Sequence, residues 1–258
     1  MSSTLPIVGI IPAAGLATRL QPLPFSKELY PIGFEQEGER IKHPKVVAAY
    51  LVERMAAGGA EQLYFILRSG KWDIPSYFGD GSKYNLSIAY LLMGLPYGAP
   101  FSVGQAYAFV QNKLVLFGFP DILISESDAF NKLVARQAET AADVVLGIFE
   151  VDNPKKWDVV ERQDDGSVEI IYPKPHQANA KHAWAFACWR PEFTAFMHNY
   201  LIEVTESTAA SQKELSMGHV LQAAINNGLR VQSVLFEKGT CLDVGTPEDL
   251  QKAILKFT

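Results

Sequence analysis

The sequence predicts an α/β domain on a mostly parallel sheet, and three observations carry that reading. Continuous apolar runs of strand length recur along the chain, helical patterns alternate with them, and no linker, repeat or low-complexity tract divides the 258 residues. Apolar runs of strand length suit strands covered on both faces, as in a parallel sheet. Their alternation with helices is the signature of α/β architecture. The length allows one large domain or two small ones. With 48% apolar and 11% aromatic residues and no linker, residues 1–258 read as one domain.

The opening strand is Ile7-Val8-Gly9-Ile10-Ile11. A helix is expected over residues 45–57, where Val46, Val47, Tyr50, Leu51 and Met55 recur at helical spacing and Gly58-Gly59 supply the stop. Residues 62–67 form a second buried strand. Further strands are expected at 87–92, 113–118, 143–149 and 230–236, with helices at 103–111, 130–137 and 217–226. In the middle, residues 159–162 and 168–171 flank the turn Asp164-Asp165-Gly166 and read as a β-hairpin. After a Pro/His/Asn-rich loop at 172–179, residues 183–189 read as one more strand. This antiparallel group is expected to decorate the sheet as a small insertion.

Composition narrows the function classes. The 23 basic and 28 acidic residues give a net charge of −5 without a Lys/Arg-rich run, which argues against a nucleic-acid or anionic-membrane surface. Small phosphates remain within reach, because they need only a few well-placed cations. Cys188 and Cys241 are the only two cysteines and form no Cys-x-x-Cys pair; His43, His176, His182, His198 and His219 lack metal-ligand spacing. Residues 1–6 carry no secretory signal, and no run approaches the roughly 18–20 apolar residues of a membrane span. A soluble cytoplasmic protein is expected.

The loop after the first strand carries the strongest chemical signal. Ala13-Ala14-Gly15-Leu16-Ala17 lets backbone N–H groups approach a ligand, and successive N–H groups there can form an anion nest. Arg19 and Lys27 add two cations, and Pro22, Pro24 and Pro31 stiffen the segment. Fixed donors and cations around developing charge are what phosphoryl transfer needs. The loop ends in no Gly-Lys-Ser/Thr and holds only Gly15, so it is neither a Walker A loop nor a dinucleotide fingerprint. Physical chemistry alone leaves a plain strand-to-helix loop with solvated Arg and Lys equally open.

Two motifs in this loop resemble the signature of the sugar-nucleotide pyrophosphorylases, the nucleotidyltransferase family that includes glucose-1-phosphate thymidylyltransferase and UTP–glucose-1-phosphate uridylyltransferase. Thr18-Arg19-Leu20-Gln21-Pro22 is similar to the family's G-T-R-L-x-P, and Ser26-Lys27-Glu28-Leu29-Tyr30-Pro31-Ile32 to its S-K-x-L-x-P-I, at matching spacing. The resemblance runs along nearly the whole chain. His43-Pro44, Gly79-Asp80-Gly81-Ser82, Ser102-Val103-Gly104-Gln105-Ala106, Phe119-Pro120-Asp121, Val159-Val160-Glu161, Pro173-Lys174-Pro175 and 242–250, with Asp243-Val244-Gly245-Thr246-Pro247-Glu248, are collinear with family blocks.

The resemblance implies a Rossmann-like three-layer αβα sandwich and a Mg²⁺-dependent enzyme joining an NTP and a sugar 1-phosphate into an NDP-sugar and pyrophosphate. By the same resemblance, Arg19 would hold the triphosphate and Lys27 would bridge the nucleotide phosphates and the attacking phosphate. Asp121 and Asp243 would hold Mg²⁺, hard oxygen ligands suited to that ion. Asp158 and Lys174 would meet the acceptor, Lys174 at its phosphate. Ala14, Gly15, Leu16, Met93, Gly98 and Gly104 would surround the nucleotide, Met93 as pocket wall. Each role has a structural alternative: a helix start at Thr246 for Asp243, a turn after Pro120 for Asp121, a solvated loop for Lys174.

Departures from the family pattern cluster around the base and the sugar. Met93 removes an amide that could pair with a pyrimidine, Asp158 replaces a Gly, Trp157 a Tyr, and Pro173 a Glu. Ala17 replaces the Gly of G-T-R, at a cost of roughly 1 kcal/mol if that position needs positive φ. Two alternatives follow: transfer to a non-sugar phosphate such as choline phosphate, with Trp157, Trp184 and Tyr172 as an aromatic cage, or a non-catalytic nucleotide-sugar sensor. Because the chain stops soon after Asp243, a nearly bare catalytic domain is expected, compatible with a homo-oligomer but without a hexapeptide-repeat tail.

Overall fold

The computed structural model describes residues 5–37, 39–94, 98–151, 153–175, 181–207 and 214–257. The chain opens with β1 (Ile7–Pro12), the hairpin β2 (Pro31–Glu37) and β3 (Arg40–Val46), α1 (Val47–Ala57), β4 (Gln62–Arg68), α2 (Asp73–Phe78) and β5 (Ser87–Met93). Then come α3 (Ala99–Gly104), α4 (Tyr107–Val110), β6 (Leu114–Gly118), β7 (Ile122–Ile124), α5 (Ala129–Thr140) and β8 (Val144–Glu150). The last part holds β9 (Val159–Arg162), β10 (Val168–Tyr172), β11 (His182–Trp189), α6 (Pro191–Ser207), α7 (Met217–Asn226), β12 (Val231–Leu235), β13 (Cys241–Asp243) and α8 (Pro247–Phe257).

Among the described residues, nine strands form the main sheet. β1 lies between β4 and β6, parallel to both, and β5 continues beyond β4. Chain order reverses at β1, so the crevice past the C-terminal ends of β1 and β6 is a topological switch point, where open α/β sheets bind their ligands. Two loops meet there: the one that follows Pro12 and the one that carries Asp121. On the other side of β6 the sheet becomes mixed, with β11 antiparallel to both β6 and β8, and β12 parallel to β8.

Alternation along the strands builds a core on each face. On one face Ile11, Leu63, Phe65, Leu116 and Phe149 pack under α1, α2 and α5. On the other Ile10, Tyr64, Phe117 and Ile148 pack under α3, α6 and α7. These are the three layers the resemblance implies. A smaller cluster joins Ile32 of β2, Val47 and Tyr50 of α1, Leu123 of β7 and Ala253 of α8.

Several expectations need correction. The strand expected at 183–189 is no part of a decoration: β11 is buried along nearly its whole length, and only β9 and β10 are appended, β9 pairing with its first residues and β10 with β9. The helix expected from residue 45 starts at Val47, because Val46 is still paired with Pro31. The helix expected over 103–111 is split after Gly104, where i to i+3 bonds from Gln105 and Ala106 replace the helical ladder. The loop expected at 172–179 lies outside the described residues from 176 onward, and His176 with it. The β2–β3 hairpin, β7, β13, α2 and α6 had no expectation.

Candidate active site

The segment after β1 is fixed at its root and open at its tip. Ala13 donates to the Ile66 carbonyl (2.8 Å), and Ala13 and Ala14 are buried. Gly15 and Leu16 are exposed. Ala17 has φ 53° and ψ 33°, the left-handed region, and starts the single turn Thr18–Leu20 closed by Leu20 N–H to Ala17 O (3.1 Å). Leu20 is buried, which leaves neighbouring Arg19 projecting outward. The condition attached to the missing glycine is therefore met, and Ala17 carries the strain of positive φ.

Lys27 is held from behind. Ser26 donates its N–H (2.6 Å) and its Oγ–H (2.7 Å) to the two oxygens of Asp73 at the start of α2. Glu28, 1% exposed, forms an ion pair at 2.7 Å with Lys71, 3% exposed, in the β4–α2 connection. Between these two clamps Lys27 Nζ donates to Asp121 Oδ2. Burial opposes the charge of each partner. The Asp121 carboxylate nevertheless outweighs burial and raises Lys27 above the ordinary lysine value, and the Lys27 ammonium holds Asp121 below the ordinary carboxylate range.

Asp121 and Asp243 meet because β7 and β13 form a two-stranded antiparallel ladder, with Asp243 opposite Ile122 and Val244 N–H bonded to Asp121 O (2.8 Å). Burial, and then the neighbouring Asp121 charge, push Asp243 up to about 6. Gly245 makes room for the approach of Arg19. A Cβ there would lie 2.8 Å from Asp243 Oδ1 and 2.9 Å from Arg19 Nη2. The loop that follows does start a helix, as the alternative for Asp243 had it: the Thr246 hydroxyl accepts from Asp249 N–H (3.2 Å). Cap and carboxylate occupy different residues, so the two readings of this loop coexist.

Among the described residues no cluster of three or more His, Cys, Asp or Glu forms a metal cage. Two convergent carboxylates still fit Mg²⁺, which keeps several waters and is commonly held by one or two carboxylates together with substrate phosphates. The raised Asp243 has the chemistry of such a donor set, since a bound cation would relieve its burial cost and its repulsion with Asp121.

Two cavities meet at this cluster. The first, of about 420 Å³, is lined by Ala14, Gly15, Leu16, Ala17, Arg19, Lys27, Gly98, Ser102 and Asp121, among others. The second, of about 380 Å³, is lined by Trp157, Asp158, Lys174, Trp184, His219 and Asp243, among others. Arg19, Ala99, Phe119, Asp121 and Glu214 line both. Each volume is of the size that holds a small molecule.

The expected residues are thus mostly brought together, with exceptions. Met93 lies outside the first cavity's lining, one step behind it, its sulfur accepting from Ser102 Oγ at 3.1 Å. Gly104 faces away, toward Leu201 of α6. Gly98 lines the first cavity with φ 119°, and a Cβ there would overlap the Leu215 carbonyl. Asp158 lines the second cavity, but both its oxygens are engaged: Oδ2 accepts from Gly218 N–H at the start of α7 and Oδ1 from Lys174 N–H, each at 3.1 Å. Burial raises its pKa above the ordinary carboxylate range as well. Lys174 is exposed at φ 40°. Trp157 and Trp184 line the second cavity and Tyr172 is not among its lining residues.

Phe119, Glu214 and His219 were missed. Phe119 stood beside Asp121 in a matched block, and that adjacency was its signal. Glu214 and His219 sit at the entrance to α7, where Ser216 caps the helix and exchanges bonds with His219, and no motif marks them.

The model of the nucleotidyl transferase family matches residues 8–258 of this chain. A low-salt glycan biosynthesis nucleotidyltransferase, Agl11, from Haloferax volcanii is 25% identical over 254 residues, 95% of this chain and 64% of that protein. A glucose-1-phosphate thymidylyltransferase from Streptomyces antibioticus is 25% identical over 244 residues, covering 93% and 63%. This chain therefore spans less than two thirds of the length of either relative. The crystal structure of a UDP-glucose pyrophosphorylase complexed with UDP-glucose shares the fold, with a TM-score of 0.79 at 18% identity over 98% of both chains.

Proposed function

The chain belongs to the nucleotidyl transferase family, and from that premise we propose that it is a Mg²⁺-dependent nucleotidyltransferase joining an NTP and a sugar 1-phosphate into an NDP-sugar. The observation that carries this reading is the convergence of Arg19, Lys27, Asp121 and Asp243, from three distant parts of the chain, at the junction of two cavities. The nucleotide occupies the first cavity, its triphosphate along the loop of Ala14–Arg19. The acceptor occupies the second, its phosphate near Lys174. An acceptor phosphate oxygen attacks the α-phosphorus in line; that P–O bond forms as the bond to the β-phosphate oxygen breaks, and pyrophosphate leaves.

The protein's part is positioning and charge. Arg19 binds the triphosphate and offsets charge gathering at the α-phosphate. Lys27, clamped by Asp73 and Glu28–Lys71 behind it, presents its ammonium between the two phosphates. Asp121 and Asp243 would hold Mg²⁺, which supplies Lewis-acid stabilisation of phosphate charge when bound. The test is pyrophosphate release with Mg²⁺, each NTP in turn and a panel of phosphate monoesters. Release with an NTP and a sugar 1-phosphate is the expected outcome, and its absence across the panel defeats the reading.

One observation favours a second acceptor class. Phe119, Trp157 and Trp184 line the second cavity, Asp158 has spent both oxygens on backbone N–H groups, and Pro173 offers no side-chain donor or acceptor. Aromatic faces beside Glu214 suit a quaternary ammonium. In the same panel, choline phosphate turning over faster than every sugar 1-phosphate would select this acceptor.

A further inference from the structure

A third cavity, of about 350 Å³, opens on the far side of the loop and shares Leu16, Ala17 and Lys27 with the first. It shares no residue with the second cavity, so the first lies between the other two. Beyond the shared residues it is lined by Arg68 at the end of β4, Lys71, Trp72 and Asp73.

We propose that this cavity is a phosphate-anion site that receives the departing pyrophosphate, with Arg68 as the cation that holds it. The inference rests on the transferase reading above. In-line displacement sends the leaving group away from the attacking phosphate. With the acceptor in the second cavity and the nucleotide in the first, that direction leads past Ala17 and Lys27 into the third.

The charges agree. Lys27 is engaged by Asp121, and Lys71 by Glu28 at 2.7 Å. The lining carboxylate, Asp73, keeps its negative charge, which its bonds from Ser26 and the Ile74 N–H favour, and it stands against three lining cations, Lys27, Arg68 and Lys71. Arg68 differs from its neighbours. Its Nη1 donates to Ser69 O at 3.1 Å, its Nε is buried with no hydrogen-bond partner, and it stands in no ion pair among the described residues. A half-buried guanidinium outside any ion pair among the described residues suits charge-assisted binding of a phosphate by its terminal Nη groups.

The experiment compares the full chain with Arg68→Gln and Arg68→Lys by titration calorimetry in Mg²⁺ buffer, using pyrophosphate, inorganic phosphate and the productive NTP as probes. Arg68→Gln should weaken pyrophosphate binding at least about tenfold while NTP affinity stays within about twofold. Arg68→Lys keeps the charge without the fork and should fall between. In the unmodified protein, pyrophosphate should bind at least about tenfold more tightly than inorganic phosphate, which separates a product site from a site for free phosphate. Forward turnover by Arg68→Gln should show weaker inhibition by added pyrophosphate in the same proportion. Unchanged pyrophosphate affinity, an equal loss for NTP, or equal binding of inorganic phosphate overturns the proposal. If Arg68→Gln fails to fold, Arg68→Lys decides by the same measurements. Absence of pyrophosphate release from every substrate pair would instead defeat the transferase reading itself.

Discussion

Ala17 holds a left-handed conformation that glycine adopts freely and alanine does not. Ala17→Gly should raise stability by ~0.5–1 kcal/mol, the gain in the folded state being partly offset by the freer unfolded chain. For a chain of this length that is about 1–4 °C in the thermal midpoint. A midpoint that falls would contradict the strain. Asp243 yields a second prediction at this scale. Its folded pKa of about 6 lies above the ordinary carboxylate value of 3.8, so between these values the folded state holds a proton that the unfolded chain lacks. Stability of the metal-free protein therefore falls as pH rises through that window. Asp121 acts in the opposite sense, and only in stronger acid, because its pKa is lowered. At pH 7 Asp243→Asn should stabilise the metal-free protein by ~1–2 kcal/mol, less than the full shift implies, because the carboxylate is partly solvated. The same variant should lose turnover by about two orders of magnitude or more, as should Arg19→Ala. Denaturation without metal and pyrophosphate release with Mg²⁺ check the pair; an Asp243→Asn enzyme with normal release would remove Asp243 from the site.

At the scale of elements, the short turn that carries Lys27 depends on the connection between β4 and α2. The Glu28–Lys71 pair is buried on both sides, and Glu28 Oε2 has no partner among the described residues. Such a pair contributes little over an apolar substitute, but removing one member strands the other charge. Lys71→Met should destabilise by ~3–5 kcal/mol, and the double variant Glu28→Leu/Lys71→Met should recover most of the loss. Urea unfolding gives both values; equal destabilisation by the single and double variants would rule out the stranded charge as the cause. Legibility at this scale followed length and period. β1, β4, β6 and β8 are apolar runs and were read within one or two residues. β7 and β13 hold three residues each, too few to carry a pattern, although they bring the two aspartates together. The β2–β3 hairpin contains Pro31, Pro44 and register shifts, features that count against a strand in sequence. α6 does carry a local signal: Pro191 opens it, and Phe193, Met197 and Leu201 repeat every four residues toward the core.

For the whole molecule, the sheet with a core on each face sets two loops at one switch point and leaves the cavities contiguous around them. A ligand that bridges loops from β1 and β6 should stabilise the entire domain. An NTP at a hundred times its Kd should add ~2.7 kcal/mol to apparent stability. Thermal shift with each NTP alone reads this directly, and no shift with any NTP would argue against the first cavity as the nucleotide site. No helix among the described residues is long and apolar enough to cross a membrane. The sequence by itself determined the α/β class and the strands flanking the switch point, and it singled out Arg19, Lys27, Asp121 and Asp243 as the candidates that the fold brings together. These are written in local apolar period and in short motifs, which need no knowledge of distant partners. Only the tertiary structure decided that Asp121 and Asp243 share a two-stranded ladder, that Asp158 is spent on backbone N–H groups, that Gly104 faces a helix, and that Arg68 lines a third cavity in no ion pair among the described residues. Each of these depends on pairing between segments far apart in the chain, which composition and spacing along one segment do not encode.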